Sequence, residues 1–139
     1  MVLKVFADTN VWFSALYGSI NCEKILDAYL RGKISLIMSK QVLNELIRNI
    51  QSKAPDVVPA LEKILISHPP EIVRDPELIP KKIRGLISYP DQGIFMACQN
   101  SHVEYFIIGY IRDFKVVALE KLTGIKILTP KEAVEILGL

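Results

Sequence analysis

The chain has 139 residues, half of them apolar and 23% charged, which excludes a disordered or fibrous protein and predicts one packed domain spanning 1–139. Seventeen basic and 15 acidic side chains leave a net charge of +2, too little for indiscriminate coating of nucleic acid. Two cysteines, Cys22 and Cys98, exclude a disulfide scaffold and a cysteine metal cage, and each reads as a small buried hydrophobe. No apolar run reaches the roughly 18 residues that span a bilayer, and the first residues lack a signal-peptide pattern, so a cytoplasmic protein without membrane association is expected.

Val2 to Ala7 is apolar apart from Lys4 and predicts a buried strand. Asp8-Thr9-Asn10, three helix-capping residue types, stop it, and a short helix follows over Val11 to Tyr17. Asn21 is placed to cap a second helix over Cys22 to Leu30, with Gly32 beyond its end. Ile34 to Met38 predicts a strand. Ser39 then caps a helix carrying Val42, Leu43, Leu46, Ile47 and Ile50 at helical spacing. Ala54-Pro55 breaks it, and another helix runs over Val57 to Ile66, ended before His68-Pro69-Pro70. Glu71 to Val73 is extended, and the charged, proline-rich stretch from Asp75 to Arg84 is a loop with at most a helical turn. Pro90-Asp91 opens a helix to Ser101 with Ile94, Ala97 and Cys98 on one face. Val103 to Ile108 is a strand, Gly109 to Phe114 a turn, and Ile125 to Leu128 a last strand. Thr129-Pro130 then starts a closing helix. Strands alternating with helices predict a parallel sheet covered on both faces.

In open α/β sheets ligands bind beyond the carboxyl ends of the strands, near the switch in strand order. Asp8 ends the first strand, Asp113 lies in the turn after the Val103–Ile108 strand, Asp91 opens the helix feeding that strand, and Glu45 lies in the helix after the second. If these carboxylates converge, their repulsion favours a hard cation among them, Mg²⁺ or Mn²⁺. Such an ion supports hydrolysis of a phosphodiester. Each acid also has a plain structural reading: Asp8 and Asp91 as helix caps, Glu45 as a solvated helix residue, Asp113 as a turn residue. His68 and His102 pair with no plausible nucleophile, and the glycines form no phosphate-binding pattern. The basic group Lys81, Lys82, Arg84 reads first as a solvated face and second as a phosphate contact.

Four blocks then resemble the PIN domain: Val5-Phe6-Ala7-Asp8-Thr9-Asn10-Val11, Ser39-Lys40-Gln41-Val42-Leu43-Asn44-Glu45-Leu46, Tyr89-Pro90-Asp91 with Ala97, and Tyr105 to Gly109 through Asp113-Phe114. Size and block order are similar to the single-domain toxins of VapBC-type toxin–antitoxin pairs. The resemblance implies a three-layer α/β/α sandwich with a central parallel sheet of four to five strands. It implies a metal-dependent endoribonuclease acting on single-stranded or looped RNA, with a small antitoxin partner and a homodimeric state. Asp8, Glu45 and Asp91 match the three leading acids of the family's site, Thr9 and Asn10 the polar residues supporting Asp8, and Asp113 the second acid of the turn after the third block strand. The implied metal ligands are Asp8, Asp91 and Asp113, with Glu45 completing the shell or orienting the attacking water. The departure is Tyr110, which stands where the family commonly has an acid or asparagine. A phenol with a pKa of about 10 is a poor Mg²⁺ ligand. The alternative is therefore a catalytically degenerate PIN-like module that binds RNA or a protein partner. The segment Trp12, Phe13, Leu16, Tyr17 has two readings, core packing and an interface with a partner or a second copy.

Overall fold

The computed structural model describes residues 2–139, except for the side chain of Asp113. Five strands, β1 (Leu3–Ala7), β2 (Ile34–Ser39), β3 (Glu71–Val73), β4 (Tyr105–Ile107) and β5 (Lys126–Leu128), form one sheet. All its pairings are parallel and its order is β3-β2-β1-β4-β5. The chain winds outward from β1 through β2 to β3, then returns to the other side of β1 for β4 and β5. The order therefore switches between β1 and β4.

The helices are α1 (Thr9–Tyr17), α2 (Ile20–Leu30), α3 (Lys40–Lys53), α4 (Val58–Ser67), α5 (Lys81–Arg84), α6 (Tyr89–Asn100), α7 (Val116–Thr123) and α8 (Pro130–Leu137), with 3₁₀ turns at Pro55–Val57 and Ile111–Asp113. Successive strand residues face opposite ways. Val5, Phe6 and Ala7 are all inaccessible, so both faces of the sheet are covered. One side is built on aromatic rings. Phe6 lies opposite Phe106 in the β1–β4 register, their rings edge-to-face with centroids 5.6 Å apart. Phe95 of α6 and Phe114 pack on Phe106 at 5.7 and 5.8 Å. Each such ring contributes about 1.5–3 kcal/mol by leaving water. Helices α1, α2 and α8 pack in succession, and α3 packs on α1, α4 and α6.

Local chemistry sets most boundaries. Ser39 accepts from the Val42 backbone N–H at 3.2 Å and starts α3, as its residue type predicts. Thr129 and Glu132 complete a capping box at the start of α8, with Pro130 at its first position. Three expectations need correction. α2 begins at Ile20 after Ser19, so Asn21 lies inside it. α6 begins at Tyr89 after Ser88, so Asp91 sits at its third position and is not the cap. α7 was not expected at all. Trp12 is buried in the core, edge-to-face with Tyr29, while Tyr17 is exposed and Phe13 stacks on it at 5.5 Å. The segment thus divides between the two readings. Among the described residues no helix is long and apolar enough to cross a membrane.

Candidate active site

The switch point brings the end of β1 beside the end of β4. The Asp8 backbone N–H donates to the Ile107 carbonyl at 3.1 Å, which extends the β1–β4 ladder by one bond and fixes where the Asp8 side chain emerges. Asp8 then caps α1, accepting from the Val11 N–H at 3.2 Å. The backbone N–H groups of Gly109 and Asn10 also point to its carboxyl. The strand end and helix start approach so closely that a methyl group on Gly109 would sit 3.0 Å from Asn10 Cβ. A side chain at position 109 would therefore press the start of α1 away from the end of β4.

These donors stabilise the carboxylate, yet desolvation prevails. Burial, the largest cause, and the charge of Asp91 together push the Asp8 carboxyl up from 3.8 to about 7, against the three backbone hydrogen bonds that lower it. Two carboxylates from chain segments 83 residues apart therefore share one electrostatic environment. Asp91 is half-buried, and its Oδ2 accepts from Ser88 Oγ at 3.1 Å.

Glu45 is turned inward, against the plain reading of its helical position. Its Oε1 accepts from the buried Thr9 hydroxyl at 2.8 Å, and its Oε2 from Gln41 Nε2 at 3.0 Å. Gln41 Nε2 also reaches the Pro90 carbonyl at 3.2 Å, while its backbone N–H donates to Asp75 Oδ1 at 2.9 Å. Gln41 and Glu45 thus join α3 to the start of α1 and to the start of α6. Sequence reasoning missed Gln41, Ser88 and Asp75. The only available signal was helical spacing, which puts Gln41 one turn before Glu45. Gln41, Glu45, Asp75, Tyr89, Pro90 and Gly93 border an open cleft of about 330 Å³.

Asp113 follows β4 in the 3₁₀ turn at Ile111–Asp113, and its side chain lies outside the described residues. Tyr110 is 50% exposed, with the Arg112 guanidinium 4.7 Å from its ring centroid and hydrogen-bonded to its hydroxyl. Burial pushes the thiols of Cys22 and Cys98 up, consistent with inert core positions.

Among the described residues, no three His, Cys, Asp or Glu side chains form a metal cage. That still fits Mg²⁺, which keeps several waters and is bound through one or two carboxylates plus substrate phosphates. Asp8 and Asp91, whose charges interact, are the pair that such a site would use.

No family model matches the sequence, and no curated protein matches it. Among solved structures the chain is similar to one described as VapBC2 from Rickettsia felis bound to a DNA fragment from their promoter. The TM-score is 0.62 and the identity 14%, over 91% of this chain and 98% of that one. At that identity the likeness bears on the fold alone, the α/β arrangement with an all-parallel five-stranded sheet flanked by helices described above.

Proposed function

We propose that this chain is a divalent-metal-dependent endoribonuclease of the PIN type, the toxin of a toxin–antitoxin pair. The observation that carries the reading is the Asp8–Asp91 pair at the topological switch point, with Asp8 raised to about 7. Asp8 and Asp91 would hold Mg²⁺ or Mn²⁺, with Asp113 as the third acid that the block resemblance assigns to the ion. When bound, such an ion lowers the pKa of water and stabilises negative charge on phosphoryl oxygens.

The chain's own groups do the rest. Glu45 keeps lone pairs on both oxygens beyond those used by Thr9 and Gln41, so it can accept a hydrogen bond from the attacking water and aim it at phosphorus. Thr9 and Gln41 fix its direction. The Gly109 and Asn10 N–H groups, with Val11, hold the Asp8 carboxylate.

The likeness to a chain of a VapBC2 complex supports an antitoxin partner. The exposed Tyr17 and Ile20, where α1 meets α2, are the apolar surface assigned to that partner or to a second copy in a homodimer.

The test is cleavage of RNA by the purified chain with Mg²⁺ or Mn²⁺. Activity that disappears in chelator and in Asp8→Asn supports the reading, and activity indifferent to both overturns it. A second reading, a non-cleaving module that binds RNA or a protein, is favoured by Tyr110 at the position of a family acid. On that reading the wild type cuts nothing, and Tyr110→Asp gains metal-dependent cleavage.

A further inference from the structure

Ser88 occupies the position before α6 where a serine ordinarily caps a helix, accepting from a backbone N–H of the first turn. Its side chain makes no such bond. The hydroxyl instead donates to Asp91 Oδ2 at 3.1 Å. The first turn closes through the backbone, the Asp91 N–H donating to the Ser88 carbonyl at 3.0 Å. The chain leading to Ser88 is clamped from two sides. The buried Gln92 amide donates to the carbonyls of Arg84 and Ile87 at 3.1 and 3.0 Å. The Lys115 N–H donates to the Leu86 carbonyl at 2.9 Å, next to an antiparallel bridge between Ile87 and Phe114. Phe114 is itself held among the rings of Phe95 and Phe106. The bridge sets the backbone of Ser88, the residue after Ile87, alongside that of Asp113, the residue before Phe114. One short segment thus meets both α6 and the turn after β4, and its one hydroxyl reaches an acid.

The last torsion of an aspartate side chain is broad, so its carboxylate swings unless something holds it. A hydroxyl bonded to Oδ2 and mounted on a backbone fixed to two neighbouring elements restricts that swing. Hydrogen bonds of this kind to ligating groups orient them and set metal affinity. We propose that Ser88 is a positioning residue of the cation site: its hydroxyl fixes the direction in which Asp91 presents its carboxylate, and the affinity for a divalent cation depends on it. This rests on the reading of Asp8 and Asp91 as the cation's ligands. A serine that served only the helix start would act on stability instead, and glycine, which tolerates the cap position well, would replace it.

The experiment is a Mn²⁺ titration of the full chain followed by electron paramagnetic resonance, on wild type, Ser88→Ala, Ser88→Gly, Ser88→Thr and Asp91→Asn. Thermal melts without metal are run on the same proteins. Ser88 is exposed, so its variants are expected to fold. The alanine and glycine variants are expected to bind Mn²⁺ roughly 10- to 100-fold more weakly than wild type. The threonine variant, which keeps the hydroxyl, is expected to bind like wild type. All three Ser88 variants are expected to melt near wild type, since no capping bond is lost. Alanine and glycine variants that bind Mn²⁺ as tightly as wild type overturn the proposal. So does an equal loss in the threonine variant, or a melting temperature lowered by alanine and restored by glycine with affinity unchanged. Binding lost in Asp91→Asn but kept in every Ser88 variant removes the proposal and leaves the cation reading standing. A wild type that binds no Mn²⁺ removes the cation reading, and the proposal with it.

Discussion

The Thr9 hydroxyl donates to Glu45 Oε1 at 2.8 Å, joining the first residue of α1 to the middle of α3 across 36 positions of sequence. Thr9 is 5% exposed, so its hydroxyl has little water to fall back on. Thr9→Val keeps the shape and removes the donor. The expected cost is about 1.5–3 kcal/mol, the range for a hydrogen bond to a charged group, read from denaturant unfolding. Glu45→Gln retains an acceptor and is expected to lose less stability. Both variants should cut RNA more slowly than wild type, because the direction of Glu45 is what each disturbs.

Two glycines are expected to respond differently. A methyl group at Gly93 would stand 2.9 Å from Gln41 Oε1, the far end of a flexible side chain, while α6 gains helix propensity. Gly93→Ala should be neutral or up to about 1 kcal/mol more stable, yet cut RNA more slowly, since Gln41 must shift away from Glu45. At Gly109 the methyl group would meet Asn10 Cβ, on the backbone-proximal part of a helix start. Gly109→Ala should cost about 1–3 kcal/mol as β4 and α1 are pushed apart. Thermal melts and cleavage rates on the two variants check both statements.

In chelator, Asp8 makes stability fall as pH rises. Its folded carboxyl titrates near 7 against 3.8 ordinarily, so between those values the folded chain holds a proton that the unfolded chain has released. The contribution is fully present below about pH 4 and lost by about pH 7, and amounts to a few kcal/mol. Asp8→Asn should flatten stability over that window and exceed wild type at neutral pH. A wild-type profile that rises from pH 4 to 7 while Asp8→Asn is flat would contradict it.

The aromatic layer offers a control away from the acids. Phe106 is fully buried between Phe6, Phe95 and Phe114. Phe106→Ala should cost about 3–5 kcal/mol of unfolding free energy with no specific effect on metal binding.

Elements that rest on local signals were legible. β1 was visible as an apolar run, α3 through Ser39 and its helical spacing, and α8 through Thr129-Pro130. α7 was not, because Leu119 is its one buried residue among the described ones and it presents no apolar stripe to detect. Asp91 looked like a cap because proline precedes it, but Ser88, three residues earlier, takes the cap position. Asp8 was legible from the strand it ends. Repulsion among converging acids pointed to a raised pKa, and Asp91 does raise it, but burial, the largest cause, was not legible because it depends on the tertiary packing around Asp8. Glu45 read as solvated from its own helix, and only α1 and Gln41 reverse that. Gln41 owes its role to Pro90, 49 positions away, a proximity that sequence spacing does not encode.

The central claim is that Asp8 and Asp91 together hold one divalent cation, and Mn²⁺ titration followed by electron paramagnetic resonance tests it most directly. The expected result is saturable Mn²⁺ binding by the wild type near neutral pH, strengthening as pH rises through about 7 and lost in both Asp8→Asn and Asp91→Asn. Wild-type binding that survives unchanged in both variants, or no saturable binding at all, would contradict it.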